Sequence, residues 1–161
     1  MNGKSNDPDG VELETAVAYQ VVRAARVLRN HLVRFLAERG AELTPEQYFI
    51  FFKINSRPGA SQAELADPLL GDYPNVTRLV DSLVRRGLAE RRPAPDDRRR
   101  HALYLTEEGR KLAGELIPAV LAERGKLTAG LPPEAVANFT AVLHAVERNA
   151  AERGGMLTEG E

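Results

Sequence analysis

The chain has no cysteine among its 161 residues. Disulfides, thiolate metal sites and thiol redox sensing are therefore excluded. Long apolar runs are also missing. None approaches the roughly 18 residues needed to span a bilayer, so no membrane is expected as a partner. The first ten residues, MNGKSNDPDG, lack the apolar centre of a signal peptide and read as a short disordered arm. A cytoplasmic location is expected. Signatures of catalysis are absent as well: there is no Gly-x-Ser-x-Gly, no phosphate-binding glycine loop and no His-Glu-x-x-His. His31, His101 and His144 lie on separate elements without metal-ligand spacing. Neither an enzyme nor a cofactor or metal is expected. No repeat, low-complexity tract or second domain stands out.

What is present suits one domain, or a small lobe with helical extensions. Hydrophobic residues make up 43% and charged residues 28%, enough for a core and for solubility. The net charge of −1 hides a strong polarisation. Residues 78 to 100 hold eight arginines against four acids (Asp81, Glu90, Asp96 and Asp97), which leaves 14 basic and 19 acidic residues elsewhere. A compact basic segment on an acidic chain is what a nucleic-acid binder shows. A solvated charged hairpin would show the same charge, so charge alone does not decide.

Hydrophobic periodicity gives the element order. Between residues 11 and 39, apolar groups at Val17, Val21, Ala24, Leu28, Leu32, Phe35 and Leu36 mark one face of a long helix, closed by Gly40. A second helix starts with Thr44 as N-cap, Pro45 in the first turn and Gln47 reaching back. It ends before Arg57-Pro58-Gly59. Ser61 to Glu64 is a second capping box, predicting a short helix through about Ala66. Asp72-Tyr73-Pro74 opens a fourth helix, which Gly87 stops. Val76, Leu79, Val80, Leu83 and Val84 face inward there, and Asn75, Arg78 and Ser82 face outward, flanked by Thr77 and Arg85.

After Gly87 the pattern turns extended. Two short strands, Leu88 to Arg92 and Arg100 to Leu105, flank a proline-rich loop and form a β-hairpin. Thr106 caps the next helix, which runs to about Leu127 and which Pro118 should bend. The last helix follows Leu131-Pro-Pro-Glu134. The fold class is mainly α with a small β-hairpin: a winged helix-turn-helix lobe at 41–105 between helical segments at 11–40 and 106–153, with loose ends at 1–10 and 154–161. The terminal helices each have one apolar face that little within a single chain would cover, so a two-fold partner is expected.

The segment from Asn75 to Leu88 makes physical sense as a DNA-recognition helix. Its first turn exposes Asn75, Thr77 and Arg78. Asparagine pairs bidentately with adenine and arginine with guanine, and a threonine methyl touches thymine. The N-termini of this helix and of the one opening at Ser61-Gln62 favour phosphate. Asp97, Arg98, Arg99 and Arg100 arm a loop short enough for a minor groove, where arginine is favoured. Asp97 is placed to aim Arg99 through a charge-assisted fork. The bland alternatives are a surface helix with ordinary polar residues and a surface ion pair of little worth.

From VTRLVD at residues 76–81, through RRGL at 85–88, to DRRRHALYLTEEG at 97–109, the sequence resembles the MarR family of bacterial transcription regulators. The Asp-x-Arg tip followed after a strand by Leu-Thr-x-x-Gly is the most specific part. The resemblance covers roughly residues 12 to 150. It implies a sequence-specific regulator, a repressor, that binds a pseudo-palindrome in double-stranded DNA as a homodimer. It assigns Asp97 to the wing-tip clamp, Arg99 to the minor groove, and Asn75, Thr77 and Arg78 to recognition-helix contacts. Tyr73 departs from the family's serine-rich start and is a further candidate contact, with Ser61, Gln62, Ser82, Arg85, Arg98 and Arg100 around it. The resemblance also implies a small aromatic or phenolic effector near His31, Phe35, Tyr48 and Phe52. Core packing of Phe35 and Phe52 is the competing reading. Two further readings stay open, a winged-helix protein-interaction module and a ligand sensor without specific DNA readout.

Overall fold

A computed structural model of the chain describes residues 16–94 and 101–156. The elements run α1 (Val17–Glu38), α2 (Pro45–Ser56), a 3₁₀ turn (Pro68–Leu70), α3 (Tyr73–Arg85), β1 (Ala89–Pro93), β2 (His101–Leu105), α4 (Glu107–Leu127) and α5 (Pro133–Met156). The N-terminal arm, the expected start of the first helix at residue 11, the wing tip and the last residues of the tail fall outside the described residues. Packing divides the chain into two units, one ending at Pro118 and the other beginning at Ala119.

Local chemistry sets the boundaries in the first unit. The capping box on α2 is complete: Gln47 N donates to Thr44 Oγ1 at 3.2 Å, and Thr44 N donates to Gln47 Oε1 at 2.9 Å. Gly87, at φ +68°, lets α3 end in a left-handed turn. The Gly87 and Leu88 amides then donate back to Val84 and Leu83 carbonyls at 2.9 Å each. Gly40 closes α1 in the same way. α2 is apolar on nearly all sides and is the centre of this unit, with Ile50, Phe51 and Ile54 fully buried. Val76, Val80 and Leu83 of α3 and Leu103 of β2 complete the core.

The segment from Ser61 to Ala66, expected as a short helix, is a hydrogen-bonded turn instead, with Leu65 N donating to Ser61 O and Ala66 N to Ala63 O at 3.2 Å each. Its capping box forms, with Ser61 N donating to Glu64 Oε2 at 2.8 Å and Glu64 N to Ser61 Oγ at 3.3 Å. It cannot extend, because Pro68 disfavours helical backbone at Asp67 and carries no amide to donate. Asp67 instead caps the 3₁₀ turn that follows, accepting from Leu69 N at 2.9 Å and from Lys53 Nζ at 2.7 Å. The Lys53 hydrogen bond, then that of the Leu69 amide, hold the Asp67 carboxyl below the usual range against partial burial. A carboxyl depressed in the folded state stabilises above its unfolded value, about 3.9, and that contribution is lost as pH falls through the lower folded value. The stability deficit of Asp67→Asn in urea unfolding should therefore be constant above about pH 5 and close below about pH 4. A deficit that persisted in strong acid would contradict this account.

β1 and β2 pair antiparallel in the register Ala89 with Leu105 through Pro93 with His101. Gly59 and Ala60, just after α2, extend this ribbon: Gly59 N donates to Leu103 O at 2.8 Å, and Leu103 N donates to Ala60 O at 3.0 Å. Outside the core the terminal helices carry exposed apolar residues. On α1 these include Val17, Val22, Val27, Leu28 and Val33, and only Phe35 and Leu36 of the expected apolar face are buried. In the second unit, Phe139 and Val142 of α5 are likewise exposed.

Candidate nucleic-acid interface

α3 stands on Asp72, whose Oδ1 accepts from Asn75 N at 2.9 Å. Pro74 in the first turn costs no hydrogen bond there. A carboxylate thus already fills the positive end of α3. Glu64 does the same at the Ser61 turn, where Ser61 Oγ also donates to it at 2.6 Å. Attraction for phosphate at these two termini is reduced, and the burden falls on side-chain cations.

The outward face of α3 separates into engaged and open residues. Asn75 donates from Nδ2 to Leu70 O at 2.7 Å. Thr77 Oγ1 donates to Tyr73 O at 3.0 Å and accepts from Gln62 Nε2 at 2.9 Å. Ser82 Oγ accepts from Gln47 Nε2 at 2.8 Å, which ties α3 to the start of α2. Tyr73, Arg78 and Arg85 are exposed. Neither Arg78 nor Arg85 has a hydrogen bond or ion pair among the described residues. These two guanidiniums, each with five donors in a rigid fork, are the groups on α3 most available to an incoming duplex.

One arginine of the hairpin has a different role. Arg91 on β1 pairs with Asp81 of α3 at 2.7 Å and donates to Gln62 Oε1 at 3.1 Å. The chain of contacts therefore runs from the wing strand through Gln62 to Thr77. Arg92 lies over the Tyr104 ring, 4.8 Å from its centroid, and pairs with Glu90. Asp97, Arg98, Arg99 and Arg100 lie outside the described residues.

The MarR family model matches residues 43–101, from the entry to α2 through the first residue of β2. This segment is a MarR-family domain. Proteins of the family are transcriptional regulators and not enzymes. The chain is similar to the transcriptional repressor CouR bound to a 23-mer DNA duplex, at 28% identity and a TM-score of 0.73, over 89% of this chain and 99% of that one. CouR from Rhodococcus jostii RHA1 bound to p-coumaroyl-CoA matches at 26% identity and a TM-score of 0.73, over 83% and 93%. BpsR of Bordetella bronchiseptica shares the fold at 20% identity and a TM-score of 0.73, over 85% and 96%.

All the expected DNA contacts, from Ser61 to Arg100, fall inside the MarR-family domain. Of the four expected effector residues, Tyr48 and Phe52 are inside it, and His31 and Phe35 precede it on α1. The rings of His31 and Phe35 sit 6.3 Å apart, and those of Tyr48 and Phe52 6.4 Å apart. Each pair lies along one helix. Phe35 and Tyr48 are buried, and His31 and Phe52 are half-buried. The Arg39 guanidinium covers the Phe35 ring at 3.4 Å. Sequence reasoning missed the pairing of Arg91 with Asp81. Each counted only as a charge, and nothing in their spacing marks two residues ten apart as partners.

Proposed function

We propose that this chain is a sequence-specific repressor that binds a pseudo-palindromic DNA site as a homodimer. The observation that carries this is that Arg78 and Arg85 on α3 of a winged helix-turn-helix are exposed and make no hydrogen bond or ion pair among the described residues, in a segment that matches the MarR family. The likeness to DNA-bound CouR supports it. Segments 11–40 and 106–153 are the proposed dimerisation regions. The exposed apolar residues of α1 and α5 support this, since solvated valine, leucine and phenylalanine in such number favour burial against a partner. Two-fold symmetry then sets half-sites about 34–36 Å apart.

Asp97 is proposed to aim Arg99 into the minor groove, with Arg98 and Arg100 on neighbouring phosphates. Binding should weaken linearly on a logarithmic salt scale, with a slope of about −0.9 per phosphate neutralised. Arg99→Ala should lower both affinity and the magnitude of that slope, read by fluorescence anisotropy on the chain's own upstream region. Unchanged binding would remove Arg99 from the interface.

The same reading includes an effector of the phenolic-acid class, free or as a coenzyme A thioester, held near His31, Phe35, Tyr48 and Phe52. Its support is the resemblance of the chain to CouR bound to p-coumaroyl-CoA. A ligand that binds only the folded state raises its melting temperature, so a thermal-shift series of aromatic acids and their thioesters tests it.

A further inference from the structure

We infer that Thr77 reads a thymine through its methyl group, and that Arg91 is a positioning residue that fixes this chemistry through Gln62. The inference rests on the DNA-binding reading above and names what one recognition-helix residue recognises. A threonine hydroxyl has one donor and two acceptor sites. In Thr77 the donor is spent on the Tyr73 carbonyl at 3.0 Å, and one acceptor site is filled by Gln62 Nε2 at 2.9 Å. A base edge would have to displace one of these bonds to use the hydroxyl fully. The methyl needs no such exchange, and the C5-methyl of thymine is the apolar group of the major groove.

Gln62 is itself held in one amide orientation. Its Oε1 accepts from Arg91 at 3.1 Å, so its Nε2 must face Thr77. Arg91 is anchored in turn by Asp81 at 2.7 Å, on the same helix as Thr77. An arginine can donate to both acceptors at once from its planar fork. The wing strand thereby dictates which face of Thr77 is available, without reaching a base.

The test uses the full chain and a duplex selected from random DNA, with each thymine under α3 replaced by deoxyuridine in both half-sites. Loss of one buried methyl is worth about fourfold in affinity, so about fifteenfold over two half-sites is expected at one position. Thr77→Ser keeps the hydroxyl with its bonds to Tyr73 and Gln62 and removes only the methyl, so it should lose this uracil penalty. Thr77→Ala should bind the two duplexes equally. Arg91→Ala should shrink the penalty although it touches no base, which a purely structural role would not do. A penalty that survives in Thr77→Ser or Thr77→Ala overturns the methyl assignment. An unchanged penalty in Arg91→Ala overturns the positioning role. If the wild-type chain selects no sequence at all, the DNA-binding reading itself fails.

Discussion

Arg78→Ala is expected to weaken binding to the cognate duplex by about 1–3 kcal/mol per half-site, the value of a bidentate arginine–guanine pair. On two half-sites that is about 2–6 kcal/mol, or roughly thirtyfold to twenty-thousandfold. Arg78 is exposed on α3 and makes no hydrogen bond or ion pair among the described residues. Its removal therefore leaves no buried group unsatisfied, and the melting temperature should stay close to wild type. Random DNA offers its phosphates but not the guanine edge, so the loss there should be much smaller. Anisotropy titrations on cognate and scrambled duplexes separate the two cases. Equal losses on both would make Arg78 a backbone contact.

The second large effect concerns stability. A methyl added at Gly109 would lie 2.0 Å from the Leu88 carbonyl oxygen, 3.0 Å from its carbon and 3.3 Å from Leu105 Cβ. The obstacle is backbone, which cannot rotate away. It is also held: Thr106 N donates to Leu88 O at 3.2 Å, and Thr106 Oγ1 donates to Gly87 O and accepts from Gly109 N at 3.0 Å. The first turn of α4 is thus stapled to the chain leaving α3. Gly109→Ala should cost about 3 kcal/mol, the upper end of ordinary overpacking, and lower the melting temperature by about 6–12 °C. Gly114, also in α4, has open space around its added methyl. Gly114→Ala should instead be neutral or stabilising by up to about 1 kcal/mol. Calorimetry on the two variants checks the contrast, and similar losses in both would contradict the close-approach account.

These contacts explain why some features were legible in sequence and others were not. The caps at Thr44, Gly40 and Gly87 depend on residues within a few positions, so residue type and spacing suffice. The Leu-Thr-x-x-Gly signature is local as well, although the atom that Gly109 must avoid belongs to Leu88, 21 residues earlier. A capping box marks where a helix can start and not whether it propagates, and the segment opening at Ser61 forms a turn that ends before Asp67-Pro68. The outward face of α3 was placed correctly by periodicity. Periodicity does not reveal that Asn75 is bonded to Leu70, Ser82 to Gln47 and Thr77 to Gln62, because those bonds depend on tertiary placement. The same limit hid the bridge of Arg91 to Asp81 and Gln62. The arginine-rich stretch therefore divides by task. Arg78 and Arg85 are exposed on α3, and Arg91 bridges Asp81 of the same helix to Gln62.

The central claim is that α3 and the wing read a specific duplex. The most direct measurement is a titration of the full chain against its own upstream region and a scrambled duplex of equal length, repeated over a series of salt concentrations. The account predicts binding to the upstream region at least about a thousandfold tighter than to scrambled DNA at physiological salt, with affinity falling steeply as salt rises. Equal affinity for the two duplexes, or no dependence on salt, would contradict it.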